Sequence, residues 1–368
     1  MKPVAIVGAN GFIGARAVEM MQLSGVLEPR PVVRRASAAA LARRFDLDVR
    51  VADGFDGDAL AEAFRGCVGV VAAIAGDPDT IVGVVQPLYR AAEKAGVRRL
   101  VYLSTASVHG QSPPAGTDES SPLSERQRIP YNIAKVRAER RLGRLRRSGS
   151  VETVVLRPGI VYGPRSHWIG GWADELMSGE AYLVEGARGV CNAVYVDNLV
   201  HALALALVAD GVDGRAYLIR DQEEVTWRDL LGPVTTALGG SLDVVPDRRA
   251  ADASPGQAWR WAPSQSRSAR RLARLLLPKP ARAGLRAAYA AAFPTDPGKI
   301  ANDGAGAPAV SLERALLHTC STRLPWDRAR QELGYSPPAS FAEGILRSIA
   351  WLEFAGYPVV RGVPGSDS

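Results

Sequence analysis

A doubly wound α/β fold, a parallel sheet covered by helices on both faces with a smaller, mostly helical C-terminal lobe, is what this 368-residue sequence predicts. Three observations lead there. Short β-branched runs alternate with longer amphipathic ones through the first 220 residues. The strand-like runs are apolar throughout, as strands buried on both faces must be. A glycine array, GANGFIG, lies between the first strand and the first helix.

In chain order, residues 4–7 read as a strand, 11–23 as a helix, 31–34 as a strand and 38–44 as a helix. A strand at 49–52, a helix at 58–64, a strand at 68–75, a helix at 80–95 and a strand at 100–104 continue the rhythm. A helix at 130–147 and a strand at 152–156 follow, with strand-like pieces at 192–196 and 216–219. Past Gly240 the texture turns to proline, alanine and arginine and the rhythm stops. The division expected is a core of 1–165 with 191–220 returning to it, and a lobe of 166–190 and 221–368.

Composition narrows the classes. At 47% hydrophobic with mixed charges, the chain has ample material for a core. Its longest apolar runs fall short of the roughly 20 residues a spanning helix needs, and no secretory leader is apparent, so a cytoplasmic protein is expected. Cys67, Cys191 and Cys320 lie far apart, with no CxxC and no nearby histidine pair, which predicts buried thiols, no disulfide framework and no metal site. The net charge of +7 is local: residues 253–295 carry eight basic and no acidic residues, and without them the chain stands at −1. A nucleic-acid partner is therefore not expected.

The glycine array nominates Gly8, Asn10, Gly11, Phe12, Ile13 and Gly14 as a cradle where a backbone turns sharply and a pyrophosphate rests on a helix amino terminus. At the end of the second strand stand Arg34 and Arg35, with Ser37 close by, where a dinucleotide site selecting NAD carries a carboxylate. A guanidinium fork there matches a 2′-phosphate, so NADP(H) is favoured over NAD(H). Asp53, with Gly54 after the third strand, either meets an adenine amino group or caps the next helix. Ala73, in the fourth strand, is a further cofactor-binding candidate. Ser104 and Thr105 end the fifth strand in STASVHG, as a local cap or as working groups. Tyr131 and Lys135, in YNIAK, share one helix face at i,i+4. The lysine charge is expected to favour the phenolate, making Tyr131 an acid-base group.

These pieces, with LRPGIVYGP (156–164), VYVDNLVHA (194–202) and WDRARQELGYSP (326–337), resemble the extended branch of the short-chain dehydrogenase/reductase superfamily, which includes the NAD-dependent epimerase/dehydratase family. The resemblance covers roughly 1–220 and 326–352. It implies a Rossmann core, a catalytic set of Thr105, Tyr131 and Lys135, and Ser104 on the cofactor side. It also places Pro158 and Ile160 where the backbone approaches the nicotinamide carboxamide. Two departures matter: Ile160 stands where sugar-nucleotide members carry a diphosphate-contacting asparagine, and His109 stands where many carry a tyrosine. The nearest look is to 3β-hydroxysteroid dehydrogenases and dihydroflavonol reductases. The expectation is an NADP(H)-dependent ketone reductase or secondary alcohol dehydrogenase acting on a bulky small molecule. The alternatives are a nucleotide-sugar epimerase or dehydratase with retained NAD, and a non-catalytic NADP-binding regulator. A homodimer through a two-helix face is common in the superfamily.

The lobe should select the substrate. Trp168 and Trp172 are its candidate pocket walls, with core packing as the competing reading; His109, from the core, is a further candidate pocket residue, read either as a second acid-base group or as a packed or surface histidine. Within the basic insertion 253–295, Arg267, Arg270, Arg271 and Arg274 form a helical stripe. Three readings stay open there: a lid over an anionic or carrier-bound substrate, a helix on an anionic membrane, or a solvated face.

Overall fold

The computed structural model describes residues 3–40, 42–253 and 309–360. Seven parallel strands form its central sheet: β1 (Pro3–Val7), β2 (Glu28–Val33), β3 (Arg50–Val51), β4 (Gly69–Ala72), β5 (Arg99–Leu103), β6 (Glu152–Pro158) and β9 (Ala216–Ile219). Their spatial order is β9-β6-β5-β4-β1-β2-β3. The order reverses between β1 and β4, and there a crevice opens beyond the strands' carboxyl ends. Alternate residues of β1 serve the two faces. Val4 and Ile6 join Val71, Val101 and Val154 in one core, while Ala5 and Val7 join Val70, Leu100 and Tyr102 in the other.

Helices α1 (Phe12–Ser24) and α7 (Val196–Val208) cover the first face; α2 (Gly57–Phe64), α4 (Val85–Lys94) and α5 (Pro130–Ser148) cover the second. A further core is built from α6 (His167–Ser178), α8 (Trp227–Ala237) and the helix Phe341–Ala355, beside the short parallel pair β7 (Ile160–Tyr162) and β8 (Ala193–Tyr195). No helix among the described residues is long and apolar enough to cross a membrane. Cys67, Cys191 and Cys320 are buried free thiols. The arginine stripe from Arg267 to Arg274 lies outside the described residues.

Several elements differ from their sequence expectation. The helix expected over 38–44 is two 3-10 turns, Ala36–Ala39 and Ala42–Phe45, because a segment whose described residues bury only Ala39 and Ala42 has too little packing to sustain a full helix. The single helix expected over 80–95 is two, α3 (Pro78–Gly83) and α4, since Pro87 cannot donate to the carbonyl of Gly83. The third strand shrinks to Arg50–Val51 at the sheet edge. β7 was not anticipated at all.

Candidate active site

At the switch point, β1 runs into Gly8, whose φ is +86° and where a Cβ would stand 2.4 Å from the carbonyl oxygen of Ala73. Both the left-handed backbone and the close approach of β4 demand glycine. A Cβ on Gly14 would lie 2.3 Å from the carbonyl oxygen of Gly8, so the helix can rise directly over the turn only with glycine there. Gly11 is the N-cap of α1, no side chain caps that helix, and its first turn holds no acidic residue. Asn10 and Gly11 are exposed and Phe12 and Ile13 half-buried, leaving an open helix terminus with its positive dipole end toward the crevice. That cradle fits a pyrophosphate.

Arg34 and Arg35 leave the end of β2 exposed, with no ion pair among the described residues. Asp53 does not cap α2: its Oδ1 accepts from the Phe55 N–H at 3.0 Å, and Asp56 accepts from the N–H groups of Asp58 and Ala59 as the actual cap. Gly54 packs closely under Val84. Ala73 N–H donates to Val7 O at 3.0 Å, tying the ends of β1 and β4 together.

Beyond β5 the two hydroxyls part company. Ser104 Oγ donates to Glu139 Oε1 at 2.5 Å, so it is committed to a buried ion pair rather than turned toward the cofactor. Glu139 pairs with Arg157 at 2.7 Å, both side chains 6% exposed, and Arg157 Nη1 reaches His109 Nε2 at 3.3 Å. Burial and the neighbouring guanidinium push His109 down to about 4, which leaves it neutral near pH 7. Thr105 caps the following 3-10 turn, accepting from Ser107 N–H and donating to Ser107 Oγ, each at 3.2 Å.

Lys135 Nζ donates to Leu103 O at 2.9 Å and lies 5.9 Å from the Tyr131 ring centroid. Helix α5, begun by Pro130 at its first position, thus brings both members of the YNIAK pair to the end of β5. Burial pulls Lys135 down to about 8, opposed by Glu139. The phenol moves the other way from the sequence expectation: burial, and then the carboxylate of Glu313, raise Tyr131 above its ordinary value. Burial and the nearby carboxylate both favour the neutral phenol, so Tyr131 holds its proton near neutrality.

Along the segment from Pro158 to Ile160, the N–H groups of Gly159 and Ile160 donate to Ile219 O and Asn192 O, at 3.0 and 2.8 Å. One further expectation is corrected. Trp172 is a core residue rather than a pocket wall, 4% exposed, with its indole nitrogen donating to Thr235 Oγ1 at 3.0 Å. Trp168 is half-buried against Trp227, their ring centroids 5.0 Å apart.

The sequence reading missed Glu313. It reaches the site from the helix Leu312–His318, and accepts from Gln111 Nε2 at 2.6 Å across 202 residues of chain. No local pattern announces such a contact. Glu139 did carry a signal, standing four residues beyond Lys135 on the same helix face.

The family described as NAD dependent epimerase/dehydratase matches residues 4–219, more than half of the sequence. This chain belongs to that family. Within it, a 3-diazoavenalumate denitrifying reductase from Streptomyces sp is 31% identical over 237 residues, 60% of this chain and 76% of that protein. A 3 beta-hydroxysteroid dehydrogenase/Delta 5-->4-isomerase from Mycobacterium tuberculosis is 32% identical over 165 residues, 43% of this chain and 45% of that protein, so the match spans about half of that relative's length. Among solved structures, the dTDP-glucose 4,6-dehydratase DesIV from Streptomyces venezuelae, with NAD and TYD bound, superposes with a TM-score of 0.69 at 22% identity, covering 96% of this chain and 97% of that one. At that identity the likeness speaks for the fold alone. Family membership makes this chain an NAD(P)-dependent enzyme of the extended short-chain dehydrogenase/reductase type.

Proposed function

We propose that this enzyme is an NADP(H)-dependent ketone reductase or secondary alcohol dehydrogenase acting on a bulky small molecule. The observation that carries the reading is the end of β2, where Arg34 and Arg35 stand exposed without a carboxylate partner among the described residues. A carboxylate there would accept from a ribose 2′-hydroxyl and repel a 2′-phosphate; two guanidinium groups do the reverse. An NADP(H) preference suits net reduction, which draws on a pool of reductant, better than an epimerisation that restores its own cofactor. The reductase and hydroxysteroid dehydrogenase names of two relatives lean the same way.

In this reading the cradle at Gly8, Gly11 and Gly14 holds the pyrophosphate and Arg34 and Arg35 hold the 2′-phosphate. When bound, the nicotinamide supplies or takes the hydride. Tyr131, kept protonated by its burial, gives its phenolic proton to the substrate oxygen as the carbonyl is reduced. Lys135, cationic below about pH 8, offsets the negative charge that Tyr131 then acquires. Thr105 turns its hydroxyl from Ser107 to the same substrate oxygen. The work belongs in the cytoplasm, where reduced nicotinamide is maintained and three unpaired thiols are at home.

The deciding experiment is to identify any nucleotide that copurifies and to titrate NADPH against NADH, with Arg34→Asp alongside. Exchangeable binding with a clear NADPH preference, lost or inverted in the variant, is expected. Tightly retained NAD, or an unchanged preference in Arg34→Asp, would return the enzyme to the epimerase and dehydratase side of its family.

A further inference from the structure

Behind Tyr131 lies a buried carboxylate to which proton transfer from the phenol gives no task. Helix α5 is fastened to two successive residues at the end of β5. Lys135 Nζ donates to Leu103 O at 2.9 Å, and one turn later Glu139 Oε1 accepts from Ser104 Oγ at 2.5 Å. Lys135, Glu139 and Ser104 are all buried, and so is Arg157, whose Nη2 donates to Glu139 Oε2 at 2.7 Å. Arg157 is fixed in its turn: Nη1 donates to Glu119 O at 3.1 Å and reaches His109 Nε2 at 3.3 Å.

An ammonium taken out of water needs a countercharge nearby or gives up its proton. On β5 the groups facing Lys135 are Leu103 O and the Tyr102 ring, its centroid 5.2 Å from Nζ; on α5 the Tyr131 ring stands at 5.9 Å. Burial keeps both phenols protonated, so neither carries charge near neutrality. Glu313 acts on the phenol of Tyr131 and not on the lysine. Glu139 follows Lys135 by four residues on one helix face, where side chains stand about 5–6 Å apart at Cβ, and it favours the ammonium against burial. Arg157 comes from β6 and grips the carboxylate through Nε and Nη2, which lets Glu139 stay ionised without water. Beyond it, His109 is neutral near pH 7 and Glu119 Oε1 accepts from Leu218 N–H at 3.0 Å.

We infer that Glu139, held in place by Ser104 and Arg157, is a positioning residue of the site: it is the countercharge that keeps Lys135 an ammonium beside Tyr131. The inference rests on the reductase reading only for the step it serves, and its test separates the two. The sequence holds five lysines, so the full chain labelled with 13C at lysine Cε can be titrated by NMR without nucleotide or substrate, the Lys135 signal being the one lost in Lys135→Met. Glu139→Gln keeps an oxygen for Ser104 but removes the charge, and the Lys135 midpoint should fall by about one pH unit or more. Glu139→Asp, which keeps the charge, should restore most of that shift. Because Glu139→Gln also leaves Arg157 unpaired, the double variant Glu139→Gln/Arg157→Gln decides: its net charge is that of wild type, and its Lys135 midpoint should stay low. Removing both partners of a buried pair is tolerated better than removing one, so the double variant also serves if the single one unfolds in melting curves. A wild-type midpoint in folded Glu139→Gln, or in the double variant, overturns the inference. With NADPH and a ketone, the alkaline limb of kcat/KM should move with the NMR midpoint. A shifted midpoint with no turnover of any ketone leaves Glu139 its role and removes the reductase reading instead.

Discussion

At the scale of single residues, the site turns on how burial sets two pKa values in opposite directions. Tyr131 is raised and stays a phenol, while Lys135 is drawn down to about 8 and stays cationic only below that. Tyr131→Phe removes the transferable proton without disturbing packing, so kcat should fall on the order of 10²–10⁴-fold with NADPH affinity little changed; near-normal turnover would remove Tyr131 from the chemistry. The lysine sets the alkaline limb. Ketone reduction needs the charged form, whose population falls as pH rises through about 8, so kcat/KM should decline above that pH. A profile flat to pH 10 would contradict it. YNIAK was legible as a pair, because four residues along a helix return to one face. The direction of the tyrosine shift was not, since it depends on how much protein surrounds the ring and on Glu313, far away in sequence.

Among the elements, the glycine turn and α1 matter most. A Cβ at Gly14 would press into the carbonyl of Gly8, and neither backbone can yield without moving the helix off the strand. Gly14→Ala should cost about 1–3 kcal/mol of stability, as overpacking does, and weaken NADPH binding more than it weakens the fold. Urea unfolding read beside a nucleotide titration checks both, and a variant equal to wild type in each would show the turn to be looser than this. Opposite the turn, Arg16 of α1 clasps Asp197 at the start of α7, at 2.6 and 2.7 Å. Asn198 donates to Asp221 Oδ1 at 2.7 Å and to Ala339 O at 2.8 Å. VYVDNLVHA is thus a structural clasp, joining the sheet to the C-terminal segment. Strand and helix identities were legible wherever periodicity was strong. They failed where one proline or a thin apolar stripe decided the outcome, at Pro87 and at 36–45.

For the whole molecule, acid sensitivity is expected from a histidine that ties the helix Leu312–His318 to the backbone at Val184. His318 is 3% exposed, accepts from Val184 N–H through Nδ1 at 3.2 Å, and is pushed by burial down to about 3. A group whose folded pKa is depressed contributes stability that is complete above its unfolded value, near 6.5, and is lost as pH falls toward 3. Asp221 acts in the opposite sense: burial raises it to about 7, so its contribution fades as pH rises from 3.8 through 7. His318→Asn keeps an acceptor and takes up no proton, and Asp221 cancels in the comparison. Urea midpoints should therefore fall less steeply for the variant than for wild type between pH 6.5 and 4; parallel slopes would show His318 already charged in the fold.

The sequence by itself determined the parallel sheet, the glycine cradle, the arginines at the end of β2 and the tyrosine–lysine pair, because each is written in near neighbours whose spacing a strand or a helix converts directly into geometry. Only the tertiary structure decided that Ser104 belongs to Glu139, that Trp172 is core, and that Gln111 meets Glu313. Those contacts join residues from tens to hundreds of positions apart, and only packing sets which of them come within hydrogen-bonding distance.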